Sequence, residues 1–256
     1  MRAWATIDTV SEPVLRLELA VQDAAGVRVA AAVGVDRLEL CTALAVGGLT
    51  ASMGLIERAT AGPVPVHVLV RPHAGGFDYD AADADVIVTD VRRSVAAGAA
   101  GVVVGATNAG QVDEPLMRRI REAAGAAQVT FHRAFDVLAE RSAVLDVLVG
   151  LDVDRVLTSG AAPSATAGVD ELRRLVRHAA GRIEIMAAGG VTPAAVHDLA
   201  RTGVSAVHAS AKRSVADELA IELGTASRAA GRQVTDEALA GALVAAVRAQ
   251  RPAATT

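Results

Sequence analysis

The sequence predicts an α/β fold, a single (β/α)8 TIM-type barrel, on three observations. Eight short β-branched runs alternate with longer Ala-, Leu- and Arg-rich segments, as expected when crossover helices join parallel strands. Gly34, Gly98, Gly150 and Gly203 each fall shortly before the next run, where a helix commonly stops. Of the 256 residues 52% are hydrophobic but only 2% aromatic, so Ala, Val and Leu must fill a core in which helices lie closely on a parallel sheet.

The runs are Val14 to Ala20, Asp36 to Cys41, Val64 to Arg71, Gly101 to Ala106, Gln128 to Arg133, Asp154 to Ser159, Ile183 to Ala188 and Ser205 to Ser210. Eight strands close a barrel. Residues 1–13 read as an N-terminal extension, 14–250 as the barrel with a C-terminal helix, and 251–256 as a flexible tail. Thr235 or Asp236 is the expected cap of that last helix, which should reach about Gln250. The alternative architecture is an open doubly wound sheet, which usually carries a Gly-rich nucleotide turn after its first strand. The corresponding turn is Ala20-Val21-Gln22-Asp23, and the closed barrel is preferred.

A net charge of −4 and a pI near 5.9, without a basic run, give no electrostatic footprint for nucleic acid. No stretch approaches the roughly 20 apolar residues of a membrane span, and no leader pattern opens the chain. Cys41 is the single cysteine, which excludes an intrachain disulfide and suits a cytoplasmic location.

Side chains alternate between the two faces of a strand, so parity shows which polar groups converge inside a barrel. Glu18 opposes the leucines of strand one, and Glu39 and Cys41 oppose those of strand two. His67 and Arg71, Thr130 and His132, Glu184 and Met186, and His208 and Ser210 form further pairs of one parity. So many inward polar groups need partners or a ligand. One reading is a structural layer in which Arg16, Arg71 and Arg133 satisfy Glu18, Glu39 and Glu184. The other is a catalytic mouth, because the C-terminal strand ends are where such barrels carry chemistry.

In the catalytic reading Glu18 or Glu39 acts with His132 as acid and base, Arg71 and Arg133 clamp substrate oxygens, and His67 and His208 orient them. After strand seven, Gly189 and Gly190 lead to Thr192, an expected N-cap, and Pro193. Two adjacent glycines admit a phosphate or carboxylate close to the backbone. Ser159 and Ser210 at strand ends, and Lys212 and Arg213 beyond strand eight, are further ligand candidates; the alternative for this loop is an ordinary tight turn with solvated basic residues. His73 either lines the mouth or is solvated, and His178 and His197 read as surface residues. His67, His132 and His208 with a carboxylate could also bind Zn(II) or a similar ion. No G-x-S-x-G turn marks a nucleophilic serine.

Leu38-Glu39-Leu40-Cys41, Gly47-Gly48-Leu49-Thr50, His67-Val68-Leu69-Val70-Arg71-Pro72 and Thr130-Phe131-His132-Arg133-Ala134-Phe135-Asp136, followed by Leu157-Thr158-Ser159-Gly160, Ile183-Glu184-Ile185-Met186-Ala187-Ala188-Gly189-Gly190 and Val207-His208-Ala209-Ser210, resemble the CutC family. The resemblance spans about Leu15 to Ser210. It implies a cytoplasmic, self-associating (β/α)8 barrel associated with copper homeostasis, and Cu(I) binding through cysteines at Cys41 and at the end of strand one. The latter position is Ala20 here. Cu(I) prefers thiolate and thioether ligands, so Cys41 would need Met186, a histidine or a second subunit. Three functions follow: a copper-binding homeostasis protein, an enzyme acting by Glu/His acid–base chemistry on a small phosphate- or carboxylate-bearing substrate, and an inert barrel with a charged interior.

Overall fold

A computed structural model describes residues 14–216 and 232–251. Eight parallel strands close a barrel: β1 (Arg16–Val21), β2 (Arg37–Leu40), β3 (Val66–Leu69), β4 (Gly101–Val104), β5 (Gln128–Phe131), β6 (Arg155–Thr158), β7 (Glu184–Ala187) and β8 (Ala206–Ala209). Seven lie within the expected runs, and β1 extends one residue past its run, to Val21. The strands are shorter than the runs, and of the residues released at C-terminal ends Arg71, His132, Arg133 and Ser210 reach the mouth. Closure is made by β1, which pairs with β2 through Leu19 opposite Leu38 and with β8 through Leu17 opposite Val207.

Around the barrel lie α1 (Ala24–Val33), α2 (Met53–Thr60), α3 (Ala81–Ala96), α4 (Glu114–Ala124), α5 (Arg141–Gly150), α6 (Val169–Ala179), α7 (Val196–Ala200) and α8 (Glu237–Arg248). Local chemistry sets their ends. The Asp23, Asp80 and Asp113 carboxylates accept backbone N–H groups in the first turns of α1, α3 and α4, satisfying donors that have no partner within the helix. Gly34 ends α1 in the left-handed region at φ 75°. Asp236, rather than Thr235, caps α8 by accepting from Leu239 N at 2.9 Å, and the helix lies against α1 and α7.

The outward strand faces carry the core. Leu17, Leu19, Leu38, Leu40, Val68, Val102 and Val129 are each 1% exposed or less and pack beneath the helices. Burying one such Leu or Val contributes about 1.5–3 kcal/mol relative to exposure. Two antiparallel hairpins sit at the strand C-termini: residues 107–108 with 111–112, and Lys212–Val215 with Arg232–Thr235. Among the described residues no helix is long and apolar enough to cross a membrane. The expected extension at 1–13 and all but Arg251 of the expected tail lie outside the described residues.

The loop after β7 departs from expectation. Pro193 opens a 3-10 turn, Pro193–Ala195, ahead of the five-residue α7, and Thr192 caps it with no side-chain bond. The Thr192 carbonyl instead accepts from Ala195 N at 3.0 Å, closing the turn through the backbone.

Candidate functional site

Register builds the first wall of the site. Glu18 on β1 sits opposite His208 of β8 on one side and Arg37 of β2 on the other, so three inward side chains meet in one layer. Arg37 Nε donates to Glu18 Oε2 at 2.5 Å, and His208 Nδ1 lies 2.8 Å from Glu18 Oε1. Burial pushes the Glu18 carboxyl up, but Arg37 and His208 together overcome this and hold it well below the usual range. An ionised Glu18 fixes the His208 tautomer, with the proton on Nδ1 donated to it. One step toward the mouth, Glu39 is in register with Ala20, and its Oε2 lies 3.7 Å from His208 Nε2.

Glu39 lacks the close cation that Glu18 has. Burial, and then repulsion from Glu18, push its carboxyl up to about 7 against the pull of His208 and Arg37. Burial alone would lower the His208 pKa, but Glu39 and Glu18 turn the shift upward. Glu18, His208 and Glu39 thus form a relay with one firm carboxylate, a protonatable imidazole and a carboxyl that exchanges its proton near neutrality.

Beneath this relay the interior is a charged layer. Arg155 is fully buried and donates to Glu184 Oε2 at 2.7 Å and to Thr130 Oγ1 at 3.0 Å. His67 is in register with Glu39 and with Gly101, and a Cβ on Gly101 would come within 2.7 Å of the imidazole. Burial lowers the His67 pKa to about 3, so the ring is neutral.

The rest of the wall comes from β3, which adjoins β2, and from β5 and β6 across the barrel. His132 follows β5, and its Nδ1 accepts from Ala134 N at 3.1 Å at the start of the 3-10 turn Arg133–Val137. The remaining proton is therefore on Nε2, which has no partner among the described residues. Burial, and next the charge of Arg71, hold the His132 pKa down at about 3. Gly105 makes room for this ring, since a Cβ there would lie 2.3 Å from it. Phe77 packs between His132, at 4.8 Å between ring centroids, and the Arg71 guanidinium, at 5.4 Å. Arg71 donates to the carbonyls of Val46, Gly48 and Gly75, while its buried Nε lacks a partner among the described residues.

Asp136 organises the rim. It accepts from Arg133 Nε at 2.7 Å, from the Thr158 hydroxyl, and from the backbone N–H groups of Ser159 and Ala161. Arg133 Nη2 also reaches Ser159 Oγ at 2.9 Å. Gly189 lies directly under this cation: it has φ 98°, and a Cβ would stand 3.5 Å from Arg133 Nη1 and 3.3 Å from Ser159 Cβ.

These walls enclose a cavity of about 520 Å³ at the strand C-termini. Of the residues expected at a site, Glu39, Arg71, His132, Arg133, Gly189, Gly190, His208 and Ser210 line it, together with Lys212. Glu18, His67 and Met186 lie in the barrel interior, and Ser159 is engaged by Asp136 and Arg133. His73 pairs with Asp83 at the surface, His178 with Asp146, and His197 with Gln250. Arg213 pairs with Asp236.

The structural layer read from sequence is real but has other members. Arg71 binds carbonyls and Arg133 binds Asp136; Arg37 pairs with Glu18 and Arg155 with Glu184, which Arg16 also approaches at 3.8 Å, while Glu39 is paired, among the described residues, by His208 alone. Sequence reasoning missed Arg37 and Arg155, although Arg37 shares the parity of Glu39 and a parity count would have found it. Asp136 stood within the Thr130-to-Asp136 motif without a role.

Copper fits this arrangement poorly. Cys41 is fully buried with Leu69 and Val103, and its Sγ lies 3.6 Å from the Val21 carbonyl. Burial and the neighbouring Glu39 push the thiol up, away from the thiolate that Cu(I) requires. Met186 packs elsewhere, with Leu157, Ala188 and Ala206, and its sulfur accepts from Arg37 at 3.3 Å. The three histidines expected to share a metal do not cluster. Among the described residues one group, Glu18, Glu39 and His208, brings three candidate ligand atoms within 4.8 Å of one another. A cation there would compete with Arg37 and with the Glu18–His208 bond, so this set fits proton transfer better than metal binding.

Fold and cavity together define a (β/α)8 barrel with a charged cavity at its mouth. Its sequence assigns it further: the CutC family profile matches residues 15–213, and the chain belongs to the CutC family. A CutC family protein of Sinorhizobium medicae (strain WSM419) is 42% identical over 226 residues, 87% of this chain and 91% of that protein. One from Xanthomonas campestris pv. campestris (strain B100) is 47% identical over 192 residues, 73% and 79% of the two chains. A crystal structure of a protein assigned as a copper homeostasis protein CutC, from Streptococcus agalactiae, superposes with a TM-score of 0.73 at 28% identity, covering 76% of this chain and 97% of that one.

Proposed function

We propose that this chain is an enzyme that binds a small anionic molecule in the barrel mouth and moves a proton on it through Glu39 and His208. The observation that carries the reading is Glu39: a buried carboxyl held near neutrality, 3.7 Å from an imidazole, in the wall of a cavity. Acid–base catalysts work best with a pKa near the working pH. Glu18 positions His208 and does not touch the ligand. Arg133 and Lys212 supply positive charge at the rim, and Gly189 with Gly190 lets an anion approach the backbone. Ser210, at the end of β8, adds a hydroxyl.

The test is calorimetric titration with inorganic phosphate and, separately, malonate. Saturable binding by wild type, weakened at least fivefold in Arg133→Gln, supports the reading; no saturable binding of either anion contradicts it.

The family association with copper homeostasis favours a second reading, Cu(I) binding at Cys41 with recruited soft ligands. The buried thiol and the engaged Met186 sulfur weigh against it. A cytoplasmic location belongs to the proposal on the strength of one unpaired cysteine. Self-association follows the family resemblance alone, and light scattering reads it directly.

A further inference from the structure

Val46 and Leu239 are large apolar side chains left at 49% and 37% exposure, and both line the cavity. Each sits on backbone that is held in place. The loop carrying Val46 is pinned by Arg71, which donates to the Val46 and Gly48 carbonyls. It turns through a left-handed Ala43 at φ 51°, a conformation that a residue with a side chain seldom adopts. One amide then ties this loop to the segment leading to Leu239. Gln22 Oε1 accepts from Leu44 N at 2.9 Å, while Gln22 Nε2 donates to the Gln233 carbonyl at 2.8 Å. From Gln233 the chain runs through Asp236 into the first turn of α8, where Leu239 lies. Leu44, also in the cavity wall, joins this surface to the buried cluster of Cys41, Leu69 and Val103.

Strand order sets the apolar side against the anion side. In the closed barrel β2 and β6 stand across from each other. Leu44 and Val46 follow β2, whereas Ser159 follows β6, and the two strands flanking β6 lead to Arg133 after β5 and Gly189 after β7. Lys212 follows β8, midway between β2 and β6 in strand order. One cavity of about 520 Å³ therefore has a cationic, glycine-lined side and an apolar side. Small-molecule sites combine these two elements, apolar surface for affinity and a few polar groups for orientation. Two side chains fall far short of the roughly 800 Å² per partner that a stable protein interface buries, and they stand in a concave wall, so a small ligand is the occupant that fits.

We propose that the ligand of the mouth is amphiphilic: an anionic head seated by Arg133 and Gly189, joined to an apolar group that lies on Leu44, Val46 and Leu239. This inference rests on the anion-binding reading above and names the class of its ligand.

The test titrates methyl phosphate and n-hexyl phosphate, monoesters with the same charged group, calorimetrically into wild type. Hexyl phosphate should bind at least tenfold tighter, the gain that burying roughly two methylenes supplies. Val46→Ser combined with Leu239→Ser should cut that ratio to about threefold or less, and Arg133→Gln should weaken both esters. NMR of wild type needs no variant to fold: the hexyl protons should give NOEs to the Val46 and Leu239 methyl groups. Equal affinity for the two esters, or NOEs to other side chains only, overturns this inference and leaves the anion site standing; failure of both esters to bind overturns the anion site as well. Val46 and Leu239 methyl signals that shift with protein concentration and not with hexyl phosphate would overturn it in favour of a second copy of the chain.

Discussion

The His208 imidazole is held by Glu18, Nδ1 to Oε1 at 2.8 Å, and this bond decides which face of the ring is left for chemistry. With Nδ1 committed to a fully buried carboxylate, Nε2 is presented to Glu39 and the cavity. Parallel register places Glu18 and His208 directly opposite each other, so the orientation of the imidazole is built into the strand that closes the barrel.

Breaking the layer beneath should be costly. Arg37→Ala leaves Glu18 as an uncompensated buried charge, and urea denaturation should show a loss of about 3–5 kcal/mol. Glu18→Gln combined with Arg37→Met removes both charges and should recover a substantial part of that loss. Equal stability of Arg37→Ala and wild type would contradict the assigned pair.

Glu39 should leave a pH signature in stability. A carboxyl whose pKa rises on folding holds more protons in the folded chain, so its contribution to stability falls as pH climbs from its ordinary 4.5 to about 7. The groups facing it are His208, Glu18, Arg37 and His67, with Cys41 and Lys212 nearby. His67 and His132, depressed to about 3, act in the opposite direction: their stabilisation is lost as pH falls from 6.5. Comparison of wild type with Glu39→Gln isolates the carboxyl. The variant should gain relative stability through that window by on the order of 3 kcal/mol, at about 1.36 kcal/mol per pKa unit. A difference independent of pH in thermal melts would show that Glu39 ionises normally.

The rim should separate position from stability. Asp136→Asn removes the charge on which Arg133 and two backbone N–H groups converge, and should both lower stability by about 1–3 kcal/mol and weaken phosphate binding. Arg133→Gln, altering a half-exposed side chain, should weaken phosphate binding with a nearly unchanged melting temperature.

Cys41 should behave as a packed, inert group. Iodoacetamide at pH 8 should label it at least a hundredfold more slowly in the native protein than in urea, because it is fully buried and its thiol is pushed up. In an anaerobic Cu(I) competition titration, Cys41→Ala and wild type should give the same curve. Tight stoichiometric binding that disappears in the variant would restore the copper reading.

The barrel was legible because hydrophobic parity repeats eight times, and seven strands lie inside the segments their patterns mark while β1 runs one residue past its own. The cavity wall was legible for the same reason: Glu39, His132 and His208 share an inward parity near strand ends. What parity cannot give is pairing. Arg71 and Arg133 carry charges suited to the interior carboxylates, yet loop carbonyls hold one and Asp136 the other. Arg37 and Arg155 take the interior because strand register, not charge, chooses neighbours. Cys41 and Met186 share the barrel interior but pack in separate clusters, a separation that only the closed three-dimensional order reveals.

The central claim is an anion site coupled to a titrating Glu39, and proton-linked calorimetry tests it most directly. Inorganic phosphate would be titrated at pH 7 in buffers of different ionisation enthalpy, with wild type and Glu39→Gln side by side. The account predicts one binding site, with fractional proton uptake in wild type that the variant largely loses, since an anion nearby favours the protonated carboxyl. Binding without proton uptake, or uptake unchanged in Glu39→Gln, would contradict it.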